Sequence, residues 1–313
     1  ERALWDTVRA IQGAFSIALL TQDSLIAIRD PYGIRPLVIG RRDESYIVAS
    51  ETCALDAVGA DLVRDVEPGE IVVIDDDGMR SLQQSEKTHS NTCSFEFIYF
   101  SRPDSRIDGV DVYASRTRAG KRLYEESPVE ADMVSGVPDS GVVAAMGYAE
   151  ASGIPYGQTL IKNKYVGRSF IAPSQELRER AVQVKLNVLR SNVEGKRIIL
   201  IDDSIVRGTT SRRLVSMLRR AGATEVHFRV ASPPVRFPCY FGLDTPTRNE
   251  LAGSRSLEEI REMIGADTLA YLSTEGLLAS LGEPRSFCTG CFTGVYPVAA
   301  PVEQEKLAME QNR

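Results

Sequence analysis

The sequence predicts an α/β protein, with a mostly parallel sheet covered by helices and a sheet-rich part before it. Three observations carry this. Residues 1–90 hold short strand-like runs separated by turn formers. From Cys93 onward, strand-like and helix-like stretches alternate. Residues 198–201 form a continuous apolar run, as a strand buried on both faces should.

In order, strands are expected at 13–20, 25–28, 37–39, 46–49 and 70–74. The turns Arg29-Asp30-Pro31-Tyr32-Gly33 and Asp75-Asp76-Asp77-Gly78 punctuate them. Residues 83–91 are polar and read as a linker. A strand at 94–100 and a helix at 112–126 follow. A strand at 131–137 then enters the turn Pro138-Asp139-Ser140-Gly141, which leads into a helix through Ala151. After a short strand at 159–162 comes a long polar loop, then a helix from Pro173-Ser174 to near Asn187. The strand 196–202, helix 209–221 and strand 225–231 complete the alternation, with later helices at 257–264 and 275–280. Three segments are expected: 1–90, 91–265, and a C-terminal piece at 266–313 whose last dozen residues are polar enough to fray.

The 313 residues allow two domains, each with its own core. A net charge of -6 argues against a nucleic-acid partner, which usually demands a basic patch. No run of 18 apolar residues offers a membrane span, and the start does not read as a signal peptide. With two histidines, His89 and His227, a histidine-based acid–base centre or zinc site is not expected. Five cysteines cannot all pair. Cys288 and Cys291 form a Cys-x2-Cys pair with three readings: thiols near a turn in a reduced cytosolic protein, a disulfide or redox pair, or half of a metal or iron–sulfur site.

The chemistry concentrates at residues 198–210, IILIDDSIVRGTT. The strand delivers Asp202 and Asp203 to its C-terminal end, where ligands sit in open α/β sheets. Adjacent carboxylates are unfavourable to bury unless a cation or hydroxyl donors offset them. Vicinal ribose hydroxyls with Mg²⁺ supply both. Ser204, Val206, Arg207, Gly208, Thr209 and Thr210 then form a turn opening a helix, whose inward amides and hydroxyls suit a 5′-phosphate. The ordinary alternative is a capped helix after a surface turn. Neither the Gly-x4-Gly-Lys-Thr nor the Gly-x-Gly-x-x-Gly spacing is present.

This block resembles the signature of type I phosphoribosyltransferases. CSFEFIYFSRPDS (93–105), GVPDS (136–140), IKNKYVGRSFIAPSQEL (161–177) and ASPPVRFPC (231–239) resemble the iron–sulfur form of the amidophosphoribosyltransferase family, and the resemblance covers nearly the whole chain. It implies a type I phosphoribosyltransferase domain preceded by the later part of an N-terminal-nucleophile (αββα) glutaminase domain. The implied reaction is displacement at C1 of phosphoribosyl pyrophosphate by ammonia, drawn from glutamine in the intact enzyme, giving phosphoribosylamine and opening purine synthesis.

By the same resemblance, 138–141 holds the pyrophosphate, with Asp139 and Ser140 as contacts, and 162–169 closes over the substrate with Lys162, Lys164, Tyr165 and Arg168. Asp202, Asp203, Lys164 and Arg168 are the implied catalytic residues, and Ser140, Asp202 and Asp203 the implied magnesium site. A 4Fe–4S cluster is implied on Cys93, Cys239, Cys288 and Cys291, leaving Cys53 as a buried apolar residue. Purine nucleotide inhibitors, a homotetramer or homodimer, and a cytoplasmic location come with the family. Two rivals share 198–210: a salvage enzyme that adds a nucleobase, which needs neither the first 90 residues nor four cysteines, and a phosphoribosyl-pyrophosphate-sensing repressor, which should carry a DNA-binding helical domain.

The chain departs from the family pattern at its start. The family's glutaminase nucleophile is a first-residue cysteine, whereas the sequence here begins at Glu1, resembles the later half of that domain, and reaches a core strand almost at once. Further residues upstream are therefore expected, and glutamine hydrolysis is not expected of these residues. Arg29, Asp30 and Arg35 read as a structural salt-bridged turn.

Overall fold

The computed structural model describes residues 2–82, 90–163, 186–243, 245, 250–282 and 286–299. Its contacts divide the chain into two units: 1–94 with 237–245 and 285–313, and 95–236 with 246–284.

In the first unit, helix α1 (Arg2–Ala10) precedes β1 (Ser16–Leu20) and β2 (Leu25–Arg29). Then come β3 (Val38–Arg42), β4 (Ser45–Ala49), helix α2 (Thr52–Val58), β5 (Asp61–Asp65), β6 (Ile71–Asp75), β7 (Gly78–Leu82) and β8 (Asn91–Cys93). Two antiparallel sheets result, ordered β1-β2-β6-β7 and β4-β3-β5. Alternation explains how the first is buried on both sides. Ile26, Ile28, Ile71 and Val73 pack with Val8, Leu4 and Trp5 of α1. Ala27, Val72 and Ile74 instead meet Ile39 of the second sheet and Leu37 just before it.

The turn after β2 is a hydrogen-bonded structural corner. The Asp30 carboxylate accepts from the amides of Tyr32, Ile34 and Arg35. The fully buried Arg29 donates to the carbonyls of Arg35, Val66 and Gly33.

The second unit begins differently from expectation. Residues 94–100 read as a strand because aromatic and apolar side chains flank Glu96, yet residues Glu96–Phe100 form a π-helical turn. Tertiary bonds override the pattern: the Glu96 carboxylate accepts from Ser101, and the buried Arg116 donates to the carbonyls of Phe97 and Ser101.

The small ladder β9 (Arg106–Ile107) with β10 (Val110–Asp111) leads into α3 (Val112–Glu126). Next are β11 (Met133–Gly136), α4 (Val142–Ser152), β12 (Leu160–Lys162), β13 (Leu186–Val188), α5 (Arg190–Val193) and β14 (Arg197–Asp202). The helix expected to end near Asn187 lies mostly outside the described residues. Its final stretch, however, is β13, paired antiparallel with β12. Helix α6 (Thr209–Arg220), β15 (Glu225–Val230), α7 (Leu257–Ile264), β16 (Thr268–Tyr271) and α8 (Thr274–Leu281) complete the unit.

Strands β11, β14, β15 and β16 form one wholly parallel sheet in that order. Ile198, Ile199, Leu200 and Ile201 are fully buried within it. Helices α3 and α4 cross almost backbone to backbone: a Cβ on Gly120 would lie 1.9 Å from the Ala144 carbonyl oxygen, and one on Gly147 2.1 Å from that of Thr117. Among the described residues, no helix is long and apolar enough to cross a membrane.

Two last elements, β17 (Ser286–Cys288) and α9 (Gly290–Thr293), belong to the first unit. Strand β17 pairs in parallel with β8, which puts Cys288 opposite Cys93.

Candidate phosphoribosyl site

Two turns at the C-terminal ends of β11 and β14 build the site, entirely within the second unit. The backbone of the first is pinned to the neighbouring strand, since the Val137 amide donates to the Ile201 carbonyl over 2.8 Å. Gly141 cannot carry a side chain, because its Cβ would sit 2.4 Å from that same Ile201 oxygen. The turn 138–141 thus lies flat against the end of β14.

Sequence spacing alone could not place Ser140 beside Asp203, but the fold does. The Ser140 hydroxyl donates to one carboxylate oxygen of Asp203, and the Ser204 hydroxyl to the other. The Asp203 amide donates to the Asp202 carboxylate at 3.0 Å. Both aspartates are buried, at 7% and 8% exposure. Burial pushes the Asp202 carboxyl well above the usual range, and the neighbouring Asp203 charge adds to this. Burial also raises Asp203, opposed by the hydroxyls of Ser140 and Ser204 and by the positive charge of Arg116. Such a pair invites a cation and hydroxyl donors.

Arg116 was not singled out by sequence reasoning. Its signal was a lone arginine among small residues on one face of α3, at Ser115, Ala119 and Gly120. Arg116, Ser140 and Asp203 line a narrow cavity whose other walls include Phe97, Ala144 and Leu281.

Beyond the acidic pair, the chain turns through Gly208, left-handed at φ 82°, into α6. No side chain caps this helix, so its first amides face outward. Thr209 and Thr210 are exposed at the same end, Val206 is half-buried, and exposed Arg207 lies 3.8 Å from Glu250. At the other turn, exposed Asp139 is ion-paired with Lys162 at the end of β12. The remaining cationic-loop residues, Lys164, Tyr165 and Arg168, lie outside the described residues. His227 is buried beside Thr268, its Nδ1 3.1 Å from the threonine hydroxyl.

The four cysteines Cys93, Cys239, Cys288 and Cys291 all fall in the first unit, and none is in a disulfide. Cys291 lies on α9, and its carbonyl accepts from the Phe237 amide. Burial pushes its thiol well up, and the nearby Cys93, Cys239 and Cys288 push it further. Among the described residues, no three cysteine, histidine or carboxylate side chains are already arranged to hold a metal ion. Cys53 is half-buried, 3.8 Å from the Glu51 carboxylate.

Two domain families match the chain: a glutamine amidotransferase domain over residues 1–57 and a phosphoribosyl transferase domain over 111–232. Amidophosphoribosyltransferase of Bacillus subtilis is 55% identical over 298 residues, covering 93% of this chain and 63% of that protein. The Archaeoglobus fulgidus protein of the same name is 52% identical, covering 94% and 65%. The structure of B. subtilis glutamine phosphoribosylpyrophosphate amidotransferase, complexed with ADP and GMP, superposes with a TM-score of 0.87 at 55% identity. It covers 94% of this chain and 66% of that one. The chain thus spans just under two thirds of these relatives, and its fold is theirs: a type I phosphoribosyltransferase domain after a partial glutaminase domain.

Proposed function

We propose that the chain carries the ribosyl-transfer half of an amidophosphoribosyltransferase, the enzyme its B. subtilis and A. fulgidus relatives are named for, placing ammonia on C1 of phosphoribosyl pyrophosphate. The observation that carries this reading is the pairing of two anion-seeking turns with a buried acidic pair at one edge of a parallel sheet. The turn at 138–141 suits pyrophosphate, the open start of α6 suits the 5′-phosphate, and Asp202 and Asp203 between them suit the ribose hydroxyls.

In the step itself, the ammonia lone pair forms the C1–N bond as the C1–O bond breaks. The electron pair leaves with pyrophosphate, and the ammonium product loses a proton to solvent. Positive character builds on the ribosyl ring, where the two buried carboxylates favour it. Lys162, once moved off Asp139, is the described cation best able to meet the leaving charge. Free ammonia needs no side-chain base, which accords with His227 being held against Thr268.

Magnesium fits the residues present, since two buried carboxylates with raised protonation need a compensating cation. Asp202, Asp203 and Ser140 would hold it; when bound, it supplies charge neutralisation for the pyrophosphate. A 4Fe–4S cluster fits the donor chemistry of Cys93, Cys239, Cys288 and Cys291, and the ladder that sets Cys288 opposite Cys93 supports it. Ligation then requires those side chains to turn toward one another. When bound, the cluster supplies a structural cross-link between β8, β17 and α9.

Glutamine as the nitrogen source of the intact enzyme, purine nucleotides as inhibitors, a homotetramer or homodimer and a cytoplasmic location complete the proposal. The B. subtilis relative bound to ADP and GMP supports the nucleotide part. The test is release of pyrophosphate from phosphoribosyl pyrophosphate with ammonia or glutamine as donor. Ammonia-dependent release supports the reading; a folded protein inactive with both donors contradicts it.

A further inference from the structure

The turn that would take the 5′-phosphate does not stand alone. A Cβ on Gly208 would lie 2.4 Å from the Met263 methyl, so the thioether of α7 occupies the space beside the left-handed residue. That thioether is itself held, since the Arg255 guanidinium lies 3.4 Å from its sulfur. The Arg255 backbone is fixed in turn, its amide donating to the Ala252 carbonyl at 3.0 Å just before the capping box of Ser256 and Glu259. Two residues before Gly208 in the loop, the Val206 carbonyl accepts from the Ala252 amide at 2.7 Å. The Ala252 segment is itself anchored, since a Cβ on Gly253 would lie 2.3 Å from the Val235 carbonyl oxygen.

The loop is therefore held at two points, by the Ala252 amide at Val206 and by Met263 packing at Gly208. No comparable buttress is needed for a simple surface turn, which tolerates an open glycine. Several glycines here, such as Gly59 and Gly153, are left-handed with nothing within 4 Å of the Cβ position.

We propose that Met263 is a positioning residue for the 5′-phosphate cradle: its methyl group, steadied by Arg255, fixes Gly208 so that the first amides of α6 converge on one phosphate. The inference rests on the ribose-phosphate reading above. Methionine suits the role because its unbranched, polarisable chain fills an irregular gap against backbone. Shortening it leaves room for Gly208, the most permissive residue, to leave its left-handed conformation.

The test titrates ribose 5-phosphate and, separately, magnesium pyrophosphate into the wild-type chain, Met263→Ala, Met263→Leu and Arg255→Gln. Met263→Ala should weaken ribose 5-phosphate about tenfold, equivalent to about 1.4 kcal/mol. Magnesium pyrophosphate, which addresses the other turn, should stay within about twofold, and Met263→Leu should stay within about twofold for both ligands. Arg255→Gln, which keeps the core intact if Met263→Ala fails to fold, should weaken ribose 5-phosphate about threefold with pyrophosphate unchanged. Equal ribose 5-phosphate affinity in these variants, or a parallel loss for both ligands, overturns the positioning role. A wild-type chain that binds neither ligand overturns the underlying ribose-phosphate reading instead.

Discussion

Ser140 donates its hydroxyl hydrogen to Asp203 across 63 residues of sequence, joining the turn after β11 to the end of β14. This bond favours the ionised form of a carboxylate that burial disfavours. Ser140→Ala removes it without changing volume much. Affinity for magnesium phosphoribosyl pyrophosphate should fall about tenfold, the scale of one hydrogen bond to a charged group. Isothermal titration of the variant against the wild type measures this, and an unchanged affinity would separate the turn from the acidic pair.

The acidic pair also makes a pH prediction for the protein without divalent cations. A carboxyl whose folded value is raised contributes stability that is present below its unfolded value, about 3.9 for aspartate. That stability is lost as pH rises through the folded value. Burial raises Asp202 well above its ordinary range. From about pH 4 upward, the wild type should lose thermal stability relative to Asp202→Asn, which carries no charge to bury. Melting curves that run parallel from acid to neutral pH would refute the assignment of an uncompensated buried charge.

The crossing of α3 and α4 depends on the absence of side chains at two positions. With the Gly120 Cβ position 1.9 Å from the Ala144 oxygen, Gly120→Ala must push the helices apart. A destabilisation of about 3 kcal/mol or more is expected, since overpacking at backbone has no flexible end to yield. Chemical denaturation reads it directly. A shift below about 0.5 kcal/mol would show that the helices can slide at little cost.

The cysteine reading makes a compositional prediction. Protein purified without air should carry about four irons and four acid-labile sulfides per chain. Cys291→Ser, which alters one of the four half-buried thiols, should abolish both and lower the melting temperature. An iron-free chain with unchanged melting temperature would remove the cluster from the account.

Much of the phosphoribosyl site was legible because its signals are local. The run at 198–201, the acidic pair and the glycine-threonine turn follow each other within a single strand, loop and helix start. Residues 112–126 and 257–264 form helices with the expected bounds. What stayed hidden depends on distant partners. The π-helical turn at Glu96–Phe100 is fixed by Arg116, about one α3 turn into another element. Strand β16 is short, and only its pairing with β15 identifies it. Cys93 and Cys288 become neighbours through a three-residue ladder that no spacing rule could register. Met263 looks like one more apolar residue of an amphipathic helix until Gly208 is seen beneath it.

The central claim is that the buried acidic pair at the end of β14 grips the ribose of a diphosphate-bearing sugar. Equilibrium titration of magnesium phosphoribosyl pyrophosphate into the wild type and Asp203→Asn, paired with their melting temperatures without ligand, tests it most directly. Micromolar-to-millimolar binding by the wild type, weakened at least about a hundredfold in a variant that melts no lower, is the predicted result. Equal binding by the two proteins would contradict the account.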